Sequence, residues 1–170
     1  MNRILAPYLN EAMRCVDEGI APQMVDEAAL QFGMPMGPIE LADTVGLDIC
    51  LAVGTMLASA GKGDPNATTP TRLKQLIDGG KLGKKTGEGF YAWPAGKVQK
   101  PAADPKQVPP GLTERLIKPL LDEARSALDE KIVDDADLVD AGSIFGFGFA
   151  PHTGGPMNYI ASSRKDTTAA

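Results

Sequence analysis

The chain has 170 residues, 43 % of them apolar, with a formal net charge of −5 and a sequence pI near 4.9. That length and apolar content support a buried core, while the acidic balance argues against nucleic acid, whose binders carry a basic footprint. No apolar run is long enough to span a bilayer, since the best candidate, residues 49–60, is broken by Gly54 and Thr55.

In chain order, the N-terminus enters an amphipathic helix at once, with no separate apolar segment and cleavage site of a secretory leader. This helix runs from about Asn2 to Glu18 and stops at Gly19. Asn2 stands at its entrance, where an N-cap role is the plain reading. A second helix starts at Pro22, a favoured first position, and ends at Gly33. Met34–Pro38 is a rigid apolar turn, and Pro38 opens a short helix to Val45. After Gly46 an apolar helix runs from Asp48 to about Ala60. Gly61–Asn66 reads as a loop, Thr69-Pro70 as a helix entry, and Thr71–Asp78 as a short helix. Residues 81–93 are rich in glycine and then in aromatics. Residues 94–110, rich in Pro, Ala and Lys without periodicity, read as a linker. Helices follow at about Thr113–Glu130, Asp134–Phe145 and Pro156–Ser163, with the last residues frayed.

The first helix recurs. Arg3–Ile20 returns at Arg115–Ile132, with Arg3/Arg115, Pro7/Pro119, Glu11/Glu123, Ala12/Ala124 and Glu18/Glu130 in identical register. Downstream, Gly33 is echoed by Gly146 and Gly37-Pro38 by Gly155-Pro156. The chain is therefore a tandem duplication of a helical module: residues 1–93, a linker at 94–110, and a shorter copy at 111–170. Each copy carries an apolar stripe, Leu5, Leu9, Ala12 and Val16 in one and Ile117, Leu121, Ala124 and Leu128 in the other. A stripe of that width needs a partner, and the nearest is its own copy, packed about a local two-fold axis. The expected fold is all-α, an intramolecular pseudo-dimer.

Few residues suggest chemistry by themselves. Gly87-Glu-Gly-Phe-Tyr-Ala92 matches the dinucleotide pattern on paper, but no strand precedes it and Trp93-Pro94 blocks a following helix. Its glycines read as turn residues. His152 is the only histidine, and Cys15 and Cys50 are far apart and read as reduced thiols, so a metal site is not expected. Lys81, Lys84 and Lys85 form the one basic cluster, either a solvated turn or a contact for an anion such as a ligand phosphate.

Together these segments resemble the C-terminal part of L-3-hydroxyacyl-CoA dehydrogenases. The residues that carry the likeness are Asn2–Ala12, Phe32-Gly33, Pro35–Pro38, Glu40–Asp43, Val45–Asp48 and Lys81–Tyr91. The second copy, with Gly146-Phe-Gly-Phe149 and Gly154-Gly-Pro156, is similar to the multifunctional fatty-acid oxidation type. The resemblance implies a helical fold like the C-terminal domain of 6-phosphogluconate dehydrogenase. It also implies a parent enzyme of β-oxidation in which a separate Rossmann domain holds NAD and the catalytic base and the helical part closes over acyl-CoA; the reduced thiols, for their part, fit a cytoplasmic or organelle-matrix address. No cofactor is expected in the present chain, and the isolated chain is expected to be inactive. Of the family's catalytic residues only the Asn of the Asn-Arg pair maps here, as Asn2. The turn with Met34, Met36 and Pro38, together with Leu41, is the expected acyl wall, because methionine adapts to irregular apolar shapes. Two rivals stand beside this reading: a free-standing assembly module without catalysis, and an enzyme in its own right using His152.

Overall fold

The structure, a computed structural model, describes residues 2–61 and 68–168, with side chains described as far as residue 163. Eight α-helices are found among them: α1 Asn2–Asp17, α2 Pro22–Phe32, α3 Pro38–Val45, α4 Leu47–Ser59, α5 Thr71–Asp78, α6 Leu112–Asp129, α7 Ala136–Phe147 and α8 Pro156–Thr168. Among the described residues there is no β-strand, only isolated bridges joining Gly83 to Glu88, Glu88 to Ala92 and Ala92 to Gln99. The fold is all-helical. The expected loop at Gly61–Asn66 falls almost wholly outside the described residues.

Helix α1 is the hub and packs most extensively on its sequence repeat, α6. Its buried side chains are Ile4, Tyr8, Leu9, Ala12, Met13 and Cys15; those of α6 are Leu112, Leu116, Ile117, Leu120, Ala124 and Ala127. The expected stripes are thus rotated: Leu5, Val16, Leu121 and Leu128 lie on the flanks, half-buried. The reason is visible in both copies. Small residues, Ala12 and Ala124, occupy the centre of each stripe and leave room for the larger neighbours Tyr8 and Leu120 beside them.

The ion pairs across these helices are reciprocal. Arg3 Nε donates to Glu123, and its terminal nitrogens reach Glu130 at 2.7 and 3.0 Å. Arg115 Nε donates to Glu11 at 2.6 Å, and its terminal nitrogens reach Glu18 at 2.7 and 2.8 Å. Each arginine therefore bonds two glutamates of the other copy, the counterparts of those that its own copy presents to the other arginine.

The following elements repeat the exchange. Gly33 ends α2 with φ 109° and Gly148 ends α7 with φ 75°, both left-handed. A Cβ on Gly33 would fall 2.4 Å from His152 Cε1, and one on Gly148 would fall 2.6 Å from Pro35 Cγ. Each helix end is pressed against the loop of the other copy, and only glycine fits. The structural counterpart of Gly33 is thus Gly148; Gly146 lies inside α7. Buried carboxylates then start the next helix in each copy. Asp26 accepts from the amides of Ile39 (2.7 Å) and Glu40 (3.3 Å); Asp140 accepts from those of Met157 (2.6 Å) and Asn158 (3.1 Å). Gly37 and Gly155 stand against those same two carboxylates, which explains the repeated Gly-Pro.

Helix α5 starts differently from the expectation. Thr69 makes no cap; the carboxylate of Asp17, at the end of α1, accepts from the amides of Thr71 (2.6 Å) and Arg72 (2.9 Å). Helix α8 continues past Ser163 to Thr168. Residues 94–110 are bound along their length. Lys100 pairs with Glu40, Gln31 Nε2 donates to Pro105 O at 2.8 Å, and Val98 and Val108 pack on the core.

Candidate functional site

Asn2, at the start of α1, is exposed. It lines a small apolar cleft of about 90 Å³ with Leu5, Ala6, Leu9, Val45, Ile49 and Val53. Three elements make this cleft. Helix α1 supplies the floor, and α3 ends at Val45. Gly46, with φ 109°, then turns the chain through 98° into α4. Helix α4 is strongly apolar, yet Leu47 is its only fully buried residue. Ile49 is 46 % exposed and Met56 58 %. An apolar helix with so little cover of its own is a surface of the kind that takes a ligand or partner. Cys50 also lines the cleft, and burial pushes its thiol up to about 11, so it stays protonated and unreactive at neutral pH.

The acyl wall expected from the sequence does not line this cleft. Met34 and Pro38 are buried in the core, with Met36 and Leu41 half-buried. Their turn instead meets the second copy, where Pro35 sits against Gly148. Ile49 and Val53, which the sequence analysis did not single out, had a signal: α4 has few polar residues beyond Asp48, Thr55 and Ser59, so its apolar surface is wider than one core-facing stripe.

The three lysines do not converge. Lys81 pairs with Glu88 at 2.7 Å, Lys85 with Asp48 at 2.6 and 2.7 Å, and Lys84 lies over the Trp93 ring at 5.7 Å. Each has a separate partner within the chain. His152 lies exposed against Gly33, at the contact between the copies and not in the cleft.

Two carboxylates organise the glycine-rich segment. Asp43, fully buried, accepts from the amides of Phe90 and Tyr91 and from Trp93 Nε1, each at 2.9 Å. Burial pushes its carboxyl up, while the three donors hold it down. Asp26 accepts in addition from Tyr91 Oη at 2.8 Å. Its burial pushes the carboxyl up to about 6, opposed by Tyr91, the Ile39 amide and Lys100. Gly83 and Gly89 are required by contact, since a Cβ on either would fall 2.2 Å from an Asp43 atom. This arrangement does not fit a dinucleotide. The Phe90 and Tyr91 amides, which a pyrophosphate would need, are already given to Asp43.

Comparison with known proteins fits this geometry. The family model "3-hydroxyacyl-CoA dehydrogenase, C-terminal domain" matches residues 1–93. The chain belongs to this family. Among solved structures, 3-hydroxybutyryl-CoA dehydrogenase from Escherichia coli K12 superposes on 95 % of this chain, with a TM-score of 0.73 and 20 % identity. (S)-3-Hydroxybutyryl-CoA dehydrogenase from Ralstonia eutropha is 38 % identical over 55 % of this chain, with a TM-score of 0.52. The matches cover 52 % of the first of those chains and 34 % of the second, so this chain spans about half of one and a third of the other.

Proposed function

We propose that this chain is the substrate-side and assembly region of an NAD-dependent 3-hydroxyacyl-CoA dehydrogenase of fatty-acid β-oxidation, with NAD held by a separate Rossmann domain. The observation that carries this is the junction of Asn2 with the uncovered apolar faces of α1 and α4. A carboxamide at the rim of an apolar cleft offers an N–H donor to a polarised oxygen. The apolar walls offer cover to the carbons beyond it, at roughly 0.8 kcal/mol per buried CH₂. The acyl contacts belong to Leu5, Val45, Ile49 and Val53. The reciprocal pairing of α1 with α6 supports the assembly role, as an intramolecular pseudo-dimer.

The test is turnover of a 3-ketoacyl-CoA with NADH, followed by loss of NADH absorbance. The chain alone is expected to show none. Joined to a family NAD-binding domain ahead of Asn2, it is expected to turn over, and Asn2→Ala is expected to lower kcat by ~10²-fold. Turnover by the chain alone, or a joined enzyme indifferent to Asn2→Ala, would overturn this reading.

A further inference from the structure

The cleft beside Asn2 has a far end. Its two carboxamides, Asn2 and Asn10, stand eight residues apart on α1, about 12 Å along the helix axis. Between them the walls are apolar, and the volume is about 90 Å³. A second chamber of about 240 Å³ lies between α4 and α5, lined by Leu51, Thr55, Ala58, Thr69 and Leu73. Asn10 and Cys50 line both chambers and so form the partition. The Asn10 carboxamide reaches α4 at Gly54, where an added Cβ would fall 3.9 Å from its Nδ2 and 4.0 Å from its Oδ1. Asn10 is half-buried, and its side chain has no hydrogen-bond partner among the described residues. No bond of the fold calls for an amide there.

We infer that Asn10 sets the length of acyl chain that the cleft accepts, and that the substrates are short. A methylene takes roughly the room of a water, ~30 Å³, so the first chamber holds about three carbons. Counted from the reacting carbon beside Asn2, C3, that is an acyl chain of about six carbons. A longer chain has to displace the Asn10 carboxamide to reach the second chamber, or leave its tail in water. In either case the added methylenes do not return the roughly fourfold gain in affinity that each brings when it finds apolar cover. Asn10 touches the far end of the substrate and takes no part in the reaction; it is a specificity residue.

This inference rests on the proposed function, which puts the acyl chain in this cleft, but its test does not use activity. Butanoyl, hexanoyl, octanoyl and decanoyl pantetheine are titrated into the isotope-labelled chain, and Kd is read from the methyl shifts of Val45, Ile49 and Val53. Kd is expected to fall about fourfold per added methylene up to hexanoyl and then to level off. The terminal methyl of the hexanoyl probe is expected to show a nuclear Overhauser contact with the Asn10 carboxamide protons, a readout that needs no variant. In Asn10→Ala the fall is expected to continue, so that decanoyl binds at least about tenfold tighter than to the natural chain while butanoyl is unchanged. Asn10→Leu, which keeps the bulk, is expected to keep the levelling at hexanoyl. A Kd that keeps falling through decanoyl in the natural chain, a missing Overhauser contact, or a levelling that survives Asn10→Ala would overturn the inference and leave the acyl assignment of the cleft standing. Absence of any shift at Val45, Ile49 and Val53 with every probe would instead sink that assignment, and this inference with it.

Discussion

Asp43 holds the glycine-rich segment on the helices. It is a buried carboxylate with three N–H donors aimed at it, two of them backbone. Removing it leaves those donors unpaired away from water, at roughly 1–3 kcal/mol each. Asp43→Ala is therefore expected to cost at least ~3 kcal/mol, read as a drop in the urea midpoint. Asp26 makes a separate prediction with pH. Its carboxyl moves from an ordinary 3.8 up to about 6 on folding, so the folded state binds a proton more tightly than the unfolded chain. Its stabilisation is full below the ordinary value and is lost as pH rises through about 6. The advantage of the natural protein over Asp26→Asn should widen by on the order of 2 kcal/mol between neutral pH and pH ~4. A carboxyl-carbon NMR titration placing Asp26 at an ordinary carboxylate value would refute this even if the variant failed to fold. Neither buried carboxylate was legible in the sequence. Asp43 was visible only as part of Glu40–Asp43, because its donors come from residues 47 to 50 positions away.

At the scale of elements, the helices were legible because their punctuation is local. Pro22 and Pro38 open α2 and α3, and Gly19 and Gly33 follow helix ends. What failed was long-range. The cap of α5 comes from Asp17, which no local pattern reveals. The contact of Pro35 with Gly148 is long-range as well, and the composition of the methionine turn gave no sign of it. The reciprocal arginines make the next prediction. Arg3 is 16 % exposed at its side chain and Arg115 38 %. Arg115, more exposed, is screened more by solvent and salt. Arg3→Ala should cost ~1–2 kcal/mol and Arg115→Ala less. The two losses should add, since the clusters share no partner. Strong non-additivity in the double variant's urea midpoint would show that the clusters are not independent.

At the scale of the whole molecule, what the repeat made visible is the set of charges Arg3, Glu11 and Glu18 and their matches Arg115, Glu123 and Glu130, which pair across α1 and α6. The repeat could not declare which copy keeps an open cleft, since that depends on α4, a helix whose counterpart in the second copy was never apparent. The repeat does supply a final expectation. The face of α1 that α6 covers is complementary to a helix bearing Arg, Glu and Glu at the positions of Arg115, Glu123 and Glu130. Helix α1 bears Arg3, Glu11 and Glu18 at those same positions, and small residues match at Ala12 and Ala124. Residues 1–93 produced alone would expose the face of α1 that α6 covers, an apolar surface that needs a partner. A second copy can cover it with Arg3 facing Glu11 and Glu18 of its partner, an isologous pairing. The fragment is therefore expected to sediment as a dimer at micromolar concentration. Arg3→Glu should turn it monomeric or unfolded, and Glu11→Arg with Glu18→Arg added to Arg3→Glu should restore the dimer. A folded fragment that remains monomeric at those concentrations, or one whose dimer ignores Arg3→Glu, would show that the α1 face is specific for α6 and not for its repeat.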